Sequence, residues 1–376
     1  MSFRLHVLHM AHIRWFNAEV QYALDLATEM RRRGNRVAFW GQTGSPGVER
    51  AHALGVETFE DSGFNHKGLA AVAAVACAAR LKRLLQRRRF DAVELHRGEG
   101  FPFVAWACRA AGVPLVRVRG DPRPLRADPL NRFLHRRLLA GLVASNTTIE
   151  ASCRRVVGGT VRLATIHGGV DPERFSDQGP TAGVRAALGF PPDAFLVGIL
   201  GRLGQVKGHR DLLDAVARAN AGGCGVYLAV LAKESVAEEV QLRQRVAENP
   251  VLRNRVGFLG HQEDLAATLR DFDLGVVASV GSEANCRVGL EWMACGLPLL
   301  ATRIGVLPDL VAEGATGFLV PPANASALAE KIVYLAARPG EVSRLGAAAR
   351  RRVLEHFTLA RCAAAHEGLL CELAPR

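Results

Sequence analysis

The sequence predicts an α/β protein of two Rossmann-like domains, each built on a parallel sheet, the two facing a cleft. Three observations predict it. Short apolar runs alternate with helical patterns along the chain, the rhythm of repeated βαβ units. At 376 residues the chain exceeds one ordinary core, taking roughly 150 residues per domain. A Gly- and Pro-containing stretch, residues 177–193, interrupts the rhythm and reads as a connection between two such series.

In the first series, strands are expected at residues 4–10, 36–40, 92–95, 114–118 and 141–144. A helix is expected over 18–33, with apolar positions at Val20, Ala23, Leu24, Ala27 and Met30 and an end at Gly34. In the second series, strands are expected at 195–200, 225–232, 256–258, 274–278, 299–301 and 318–320, with a helix over 211–219. This places a first domain at 1–172, a connection at 173–193 and a second domain at 194–355. Open parallel sheets bind ligands at the carboxyl ends of their strands, so the functional residues are sought in the loops there.

Composition narrows the function. Hydrophobic residues make up 49% and charged residues 22%, which excludes a disordered chain. No apolar stretch reaches the roughly 18 residues that would suggest a membrane span. The start alternates like a buried strand and has no signal-peptide block, so a cytoplasmic location is expected. Eight cysteines contain no C-x-x-C pair, which points to buried reduced thiols rather than zinc or redox chemistry. The net charge of +12 is concentrated in the first half, around residues 80–89 and 117–137. Such clusters suit an acidic small molecule or an anionic membrane surface, or are simply a solvated Arg-rich face. Nucleic acid is not expected, since no recognition motif accompanies the charge. The basic segments 81–90 and 132–139 could lie peripherally on the anionic inner membrane, or pack as surface helices.

Two constellations carry chemistry. Gly201-Arg202-Leu203-Gly204-Gln205-Val206-Lys207-Gly208 follows the strand at 195–200 and precedes a helix. Glycines let backbone approach closely, a helix start offers N–H donors, and Arg202 and Lys207 add positive charge, a combination suited to a diphosphate. It is not a Walker loop, because Lys207 precedes the last glycine and no Ser or Thr follows. An ordinary strand-to-helix turn with two surface cations is the plainer alternative. The second is Ser279-Val280-Gly281-Ser282-Glu283 followed by Glu291-Trp292-Met293-Ala294-Cys295-Gly296-Leu297-Pro298. Carboxylates accept hydrogen bonds, and neighbouring sugar hydroxyls donate them in pairs. Glu291 lies in an apolar segment where an acid without a purpose is disfavoured.

These segments together resemble the family 4 retaining glycosyltransferases (GT4), which have the GT-B fold. Further stretches are similar: Gly169-Val170-Asp171-Pro172-Glu173-Arg174-Phe175, Phe258-Leu259-Gly260-His261, and Glu313-Gly314-Ala315-Thr316-Gly317-Phe318-Leu319-Val320-Pro321-Pro322. The resemblance implies that Gly201, Arg202 and Lys207 receive the donor diphosphate. It implies that Glu283 holds hydroxyls of the transferred sugar and Glu291 the nucleotide ribose. Backbone amides around Ala284, Asn285 and Cys286 would meet the sugar or phosphate. It also implies a C-terminal helix, 356–376, crossing back to the first domain. The catalytic set expected is Arg202, Lys207, Glu283 and Asp121.

The chain departs from the family in two places. Ala284-Asn285-Cys286 stands where Gly-Phe-Gly-like residues are usual, which bears on donor-sugar identity. In the first half, Trp15-Phe16-Asn17-Ala18 replaces a glycine pair, and Asp121 stands near the position of a family histidine. Asp121 could hold a donor hydroxyl or assist the acceptor's proton, or it is an Asp-Pro turn residue. Trp15, Asn17 and His96 are candidates to contact the acceptor, with packing as the alternative for each. Asp271-Phe272-Asp273 has a metal-binding D-x-D form but precedes its strand, away from the expected ligand face, so no metal and no cofactor are expected. The expected donor is a nucleotide-diphosphate sugar, UDP-linked before GDP- or ADP-linked. The expected acceptor is a glycan or glycolipid of bacterial polysaccharide or lipopolysaccharide synthesis. The alternatives are a same-fold sugar-nucleotide epimerase or hydrolase, or a catalytically degenerate nucleotide-sugar-binding subunit.

Overall fold

The computed structural model describes residues 4–65, 70–232 and 236–374, in two units: Met1–Gly168 with Leu359–Arg376, and Gly169–Thr358. The first unit runs β1 (His6–Ala11), α1 (Ala18–Arg32), β2 (Arg36–Gly41), α2 (Pro46–Ala53), β3 (Glu57–Glu60), α3 (Ala70–Arg88) and β4 (Ala92–Leu95). It continues with α4 (Phe101–Ala111), β5 (Leu115–Arg119), α5 (Pro129–Leu138), β6 (Gly141–Ala144), α6 (Thr147–Val157) and β7 (Arg162–Thr165). Its sheet is wholly parallel, in the order β3-β2-β1-β4-β5-β6-β7. The inner strands β1, β4 and β6 are buried along their whole length, as strands covered by helices on both faces must be.

The second unit runs α7 (Val184–Ala187), β8 (Phe195–Leu200), α8 (His209–Ala221), β9 (Val226–Leu231), α9 (Val236–Glu248), β10 (Val256–Leu259) and α10 (Leu265–Leu269). Then come β11 (Leu274–Val277), α11 (Arg287–Ala294), β12 (Leu299–Thr302), α12 (Leu307–Leu310), β13 (Gly317–Val320), α13 (Ala325–Ala336) and α14 (Pro339–His356). Its sheet is also parallel, in the order β10-β9-β8-β11-β12-β13. Trp292 of α11 packs edge-on against Phe272 and over Gly198 and Gly275, whose missing side chains make room for the indole.

Every strand read from the sequence is present, within a residue or two at its ends. Two edge strands, β3 and β7, escaped that reading because they are short and half exposed, with no unbroken apolar run. The expected connection, 173–193, is not a free linker. Val184 N donates to Asp271 Oδ2 at 3.0 Å, Arg185 pairs with Asp273 at 2.6 Å, and Phe190 lies in the core of the second unit. Asp271 and Asp273 are therefore structural acids that tie this segment down.

The C-terminal helix expected at 356–376 lies at Leu359–Leu373 and is separated from the helix before it. α14 stops at His356, Thr358 bridges to Val170, and α15 (Leu359–Leu373) begins anew and packs against α1 in the first unit. Glu367 of α15 receives Arg33 at 2.9 Å and Asn35 at 2.6 Å. No helix among the described residues is long and apolar enough to cross a membrane. All eight cysteines are free thiols; Cys371 is exposed and Cys224 half-buried, against the expectation that they lie inside.

Candidate functional site

In the second unit, chain order reverses direction across the sheet between β8 and β11, and crevices at such a point open at the carboxyl ends of the strands. The loop after β8 (Gly201–Gly208) and the loop after β11 (Ser279–Cys286) both leave there. They are joined by a backbone bond, Val280 N to the Val206 carbonyl at 2.8 Å. Gly208 permits the approach: its φ is +70°, and a Cβ there would lie 1.9 Å from the Ala278 carbonyl oxygen.

This juxtaposition brings Lys207 to Glu283. Glu283 Oε1 accepts from Lys207 Nζ at 2.5 Å and from Ser279 Oγ at 2.5 Å, and the carboxylate is buried. Thr302 at the end of β12 donates to the Ser279 carbonyl at 2.6 Å, and Val306 N donates to the Glu283 carbonyl at 2.8 Å. The acid is thus held from three sides, with side chain and backbone both fixed. Glu291, one helical turn into α11, is buried too and pairs with Arg287 at 2.9 Å. The sequence reading missed Ser279, Thr302 and Val306; only Ser279, four residues ahead of Glu283, had a readable spacing.

Arg202 is exposed at the start of the first loop and has no ion pair among the described residues, so its charge is available to a ligand. Neither α8 nor α11 has a side-chain cap, and each begins directly where its loop ends, at Gly208 and Cys286. Cys286, at the head of α11, has φ +36°, a left-handed conformation that costs a non-glycine residue roughly 1–2 kcal/mol. Its position is the last of the three where the resembled family tends to place Gly-Phe-Gly. Burial and the neighbouring Glu283 push the Cys286 thiol well up, which keeps it neutral.

The first unit treats its candidates differently. Trp15 is 60% exposed just before α1. Asn17 is the N-cap of α1: its Oδ1 accepts from Glu19 N at 3.1 Å and Val20 N at 3.0 Å, so a local structural task engages the side chain. Asp121 binds Arg123 through its backbone amide at 2.9 Å and through its guanidinium. Burial raises its pKa, but the Arg123 hydrogen bonds outweigh this and hold it below the ordinary carboxylate value. An acid so held suits accepting a hydroxyl's hydrogen bond better than taking its proton.

His96 is buried in a network that the sequence did not announce. Parallel register sets His9 of β1 beside Glu94 of β4. His96 Nε2 lies 3.0 Å from His9 Nδ1, which lies 3.2 Å from Glu94 Oε2. Glu94 Oε1 is 2.6 Å from His366 Nδ1 of α15, whose Nε2 meets Tyr22 Oη at 2.8 Å. Burial pushes His9 and His96 down, to about 4 and about 3, leaving both neutral. Burial also opposes charge on His366, but Glu94 prevails and raises it. His9, Glu94 and His96 form the only group with metal-ligand spacing among the described residues. Two imidazoles and a carboxylate would suit zinc, yet Glu94 is already neutralised by His366. The network therefore reads first as the lock that fastens α15 to the sheet.

Residues 20–174 match the family model described as Glycosyltransferase Family 4, and residues 194–338 the one described as Glycosyl transferases group 1. A D-inositol 3-phosphate glycosyltransferase of Streptomyces bingchenggensis is 32% identical over 227 residues, 56% of this chain and 48% of that protein. One from Saccharomonospora viridis is 28% identical over 353 residues, 85% and 80% of the two chains. This chain spans about half the length of the first such relatives. Among solved structures, the Anabaena protein HepE in complex with UDP shares the fold at a TM-score of 0.84 and 20% identity, over 98% of this chain and 100% of that one. With one model over the first unit, another over the second, and both parallel sheets in the GT-B arrangement of strands, the chain belongs to glycosyltransferase family 4.

Proposed function

We propose that the protein is a retaining glycosyltransferase that moves a sugar from a nucleotide-diphosphate sugar to a hydroxyl of a glycan or glycolipid. The observation that carries this reading is the Lys207–Glu283 pair at the reversal point of the second sheet, beside the free Arg202 and two uncapped helix starts. The donor diphosphate would lie against Arg202, Lys207 and the amides of α8. Its ribose would meet Glu291, and its sugar hydroxyls Glu283 and the backbone of Ala284, Asn285 and Cys286.

The chemistry follows from charge. As the bond from the anomeric carbon to the diphosphate breaks, negative charge grows on the departing oxygen. Fixed cations aimed there stabilise that charge more than the ground state, each by a factor of roughly 10² to 10³ in rate. The acceptor oxygen forms its bond to the anomeric carbon on the same face, and its proton passes to the departing phosphate oxygen. A UDP-sugar is the first donor to test, and bacterial envelope polysaccharide or lipopolysaccharide is the acceptor class that the basic first half favours. Asp121, Trp15 and His96 remain candidates on the acceptor side, with His96 acting from inside the buried network.

Thermal unfolding with UDP, GDP and ADP tests the reading, because a nucleotide at a hundred times its Kd adds about 2.7 kcal/mol of stability. One of them is expected to raise Tm, and the corresponding nucleotide sugar to release nucleotide slowly in the absence of acceptor. If none of the three stabilises the chain, the donor assignment is wrong.

A further inference from the structure

A cavity of about 360 Å³ opens in the first unit beyond the carboxyl ends of β4 and β5. Five arginines face it against three carboxylates. All three acids are taken: Glu19 and Glu99 both bind Arg97, and Asp121 binds Arg123. Arg117, Arg119 and Arg126 have no carboxylate partner among the described residues, and the lining carries a surplus of two positive charges.

Arg117 is the telling member because it is 8% exposed, and surface arginines need no counter-ion whereas buried ones do. Its guanidinium stacks on the Phe101 ring at 4.9 Å and donates through Nη1 to His135 Nε2 at 2.6 Å. Burial and then Arg117 itself push the His135 imidazole down to about 4, so it stays a neutral acceptor, and an imidazole has no negative charge with which to offset the guanidinium. Gly98 keeps space for the group, as a Cβ there would lie 2.6 Å from Arg117 Nη2. Arg119, two residues along the strand and so on the same face, is fixed by the carbonyls of Asp121 and Arg123, while its Nε is buried with no acceptor. Ordering three like charges around one hollow is unfavourable unless an anion completes it. A surplus of two matches a phosphate monoester, which carries about −1.5 to −2 at neutral pH, better than a carboxylate, and the guanidinium fork fits its oxygens.

We propose that this cavity binds a phosphate monoester, with Arg117 and Arg119 as its fixed contacts and Arg126 closing over it. Taken with the transferase reading, on which this last step rests, the acceptor is a phosphorylated sugar or polyol. Calorimetry on the full chain tests it with glucose 6-phosphate, inorganic phosphate, glucuronate and glucose, and separately with UDP. Glucose 6-phosphate is expected to bind, inorganic phosphate more weakly, and glucose not at all. Arg119→Gln and the exposed Arg126→Gln are each expected to weaken glucose 6-phosphate about tenfold or more while leaving UDP affinity unchanged. Glucuronate binding as tightly as the phosphate ester would overturn the assignment to phosphate. Absence of binding, competition between UDP and glucose 6-phosphate, or indifference to both substitutions would overturn the site. Loss of UDP binding in the wild type would instead sink the transferase reading and leave the anion site standing.

Discussion

Lys207 Nζ and Glu283 Oε1 lie 2.5 Å apart, although 76 positions separate them along the chain. The contact exists because adjacent parallel strands β8 and β11 deliver their loops to the same end of the sheet. Removing one partner should therefore hurt more than removing both charges. Lys207→Met leaves a buried carboxylate without its cation and is expected to cost on the order of 1–3 kcal/mol. Adding Glu283→Gln should restore most of that loss. Urea midpoints of the two single variants and the double variant measure it; strict additivity would mean that the pair is not coupled.

Arg202 makes the opposite case. Because Arg202 is exposed and has no ion pair among the described residues, Arg202→Ala should leave stability within about 0.5 kcal/mol. Donor turnover at saturating nucleotide sugar should fall roughly a hundredfold. Unchanged turnover would move the phosphate site elsewhere.

Gly305 guards the backbone of Glu283. Its φ is +53°, and a Cβ there would come 1.8 Å from the Glu283 carbonyl oxygen, the acceptor of Val306 N. Gly305→Ala is expected to displace the loop, to cost more than about 1 kcal/mol, and to raise the donor KM. Wild-type stability with wild-type KM in that variant would show that the loop yields without consequence.

The lock on α15 predicts a pH dependence. His366 has a raised pKa, so its contribution is complete below the ordinary value of 6.5 and fades as pH climbs through the folded value. Glu94 is depressed, so its contribution is complete above 4.5 and fades in acid. His9 and His96, depressed by burial, take up protons more readily when unfolded, so they too destabilise as pH falls below 6.5. Stability of the first unit should peak near pH 6.5. His366→Gln is expected to cost about 3–5 kcal/mol there, as for a broken buried pair, and less at pH 9. A deficit equal at both values, from urea melts, would refute the charged pair.

Much of this was legible in the residues. Buried parallel strands are continuous apolar runs, so β8 reads at its true bounds, 195–200, without any tertiary information. The glycine and cation spacing of Gly201–Gly208 and the acids of the following segment singled out two loops that the fold brings together. The polar edge strand β3 gave no such signal, since one side of it faces water. The break at Phe357 and Thr358 gave no local signal either, because the helical pattern runs on both sides of it.

By itself, the sequence determined what depends on near neighbours: strand and helix periodicity, the glycine-rich turn, and the order of the motifs. Tertiary structure alone decided which charges meet. Asn17 became a helix cap, His96 and Glu94 became part of a buried lock with a residue of the last helix, and Arg117 was left inside with no acid paired to it among the described residues. The physical reason is that charge and burial act through space over a few ångströms, and strand register, not chain distance, sets which side chains share that space.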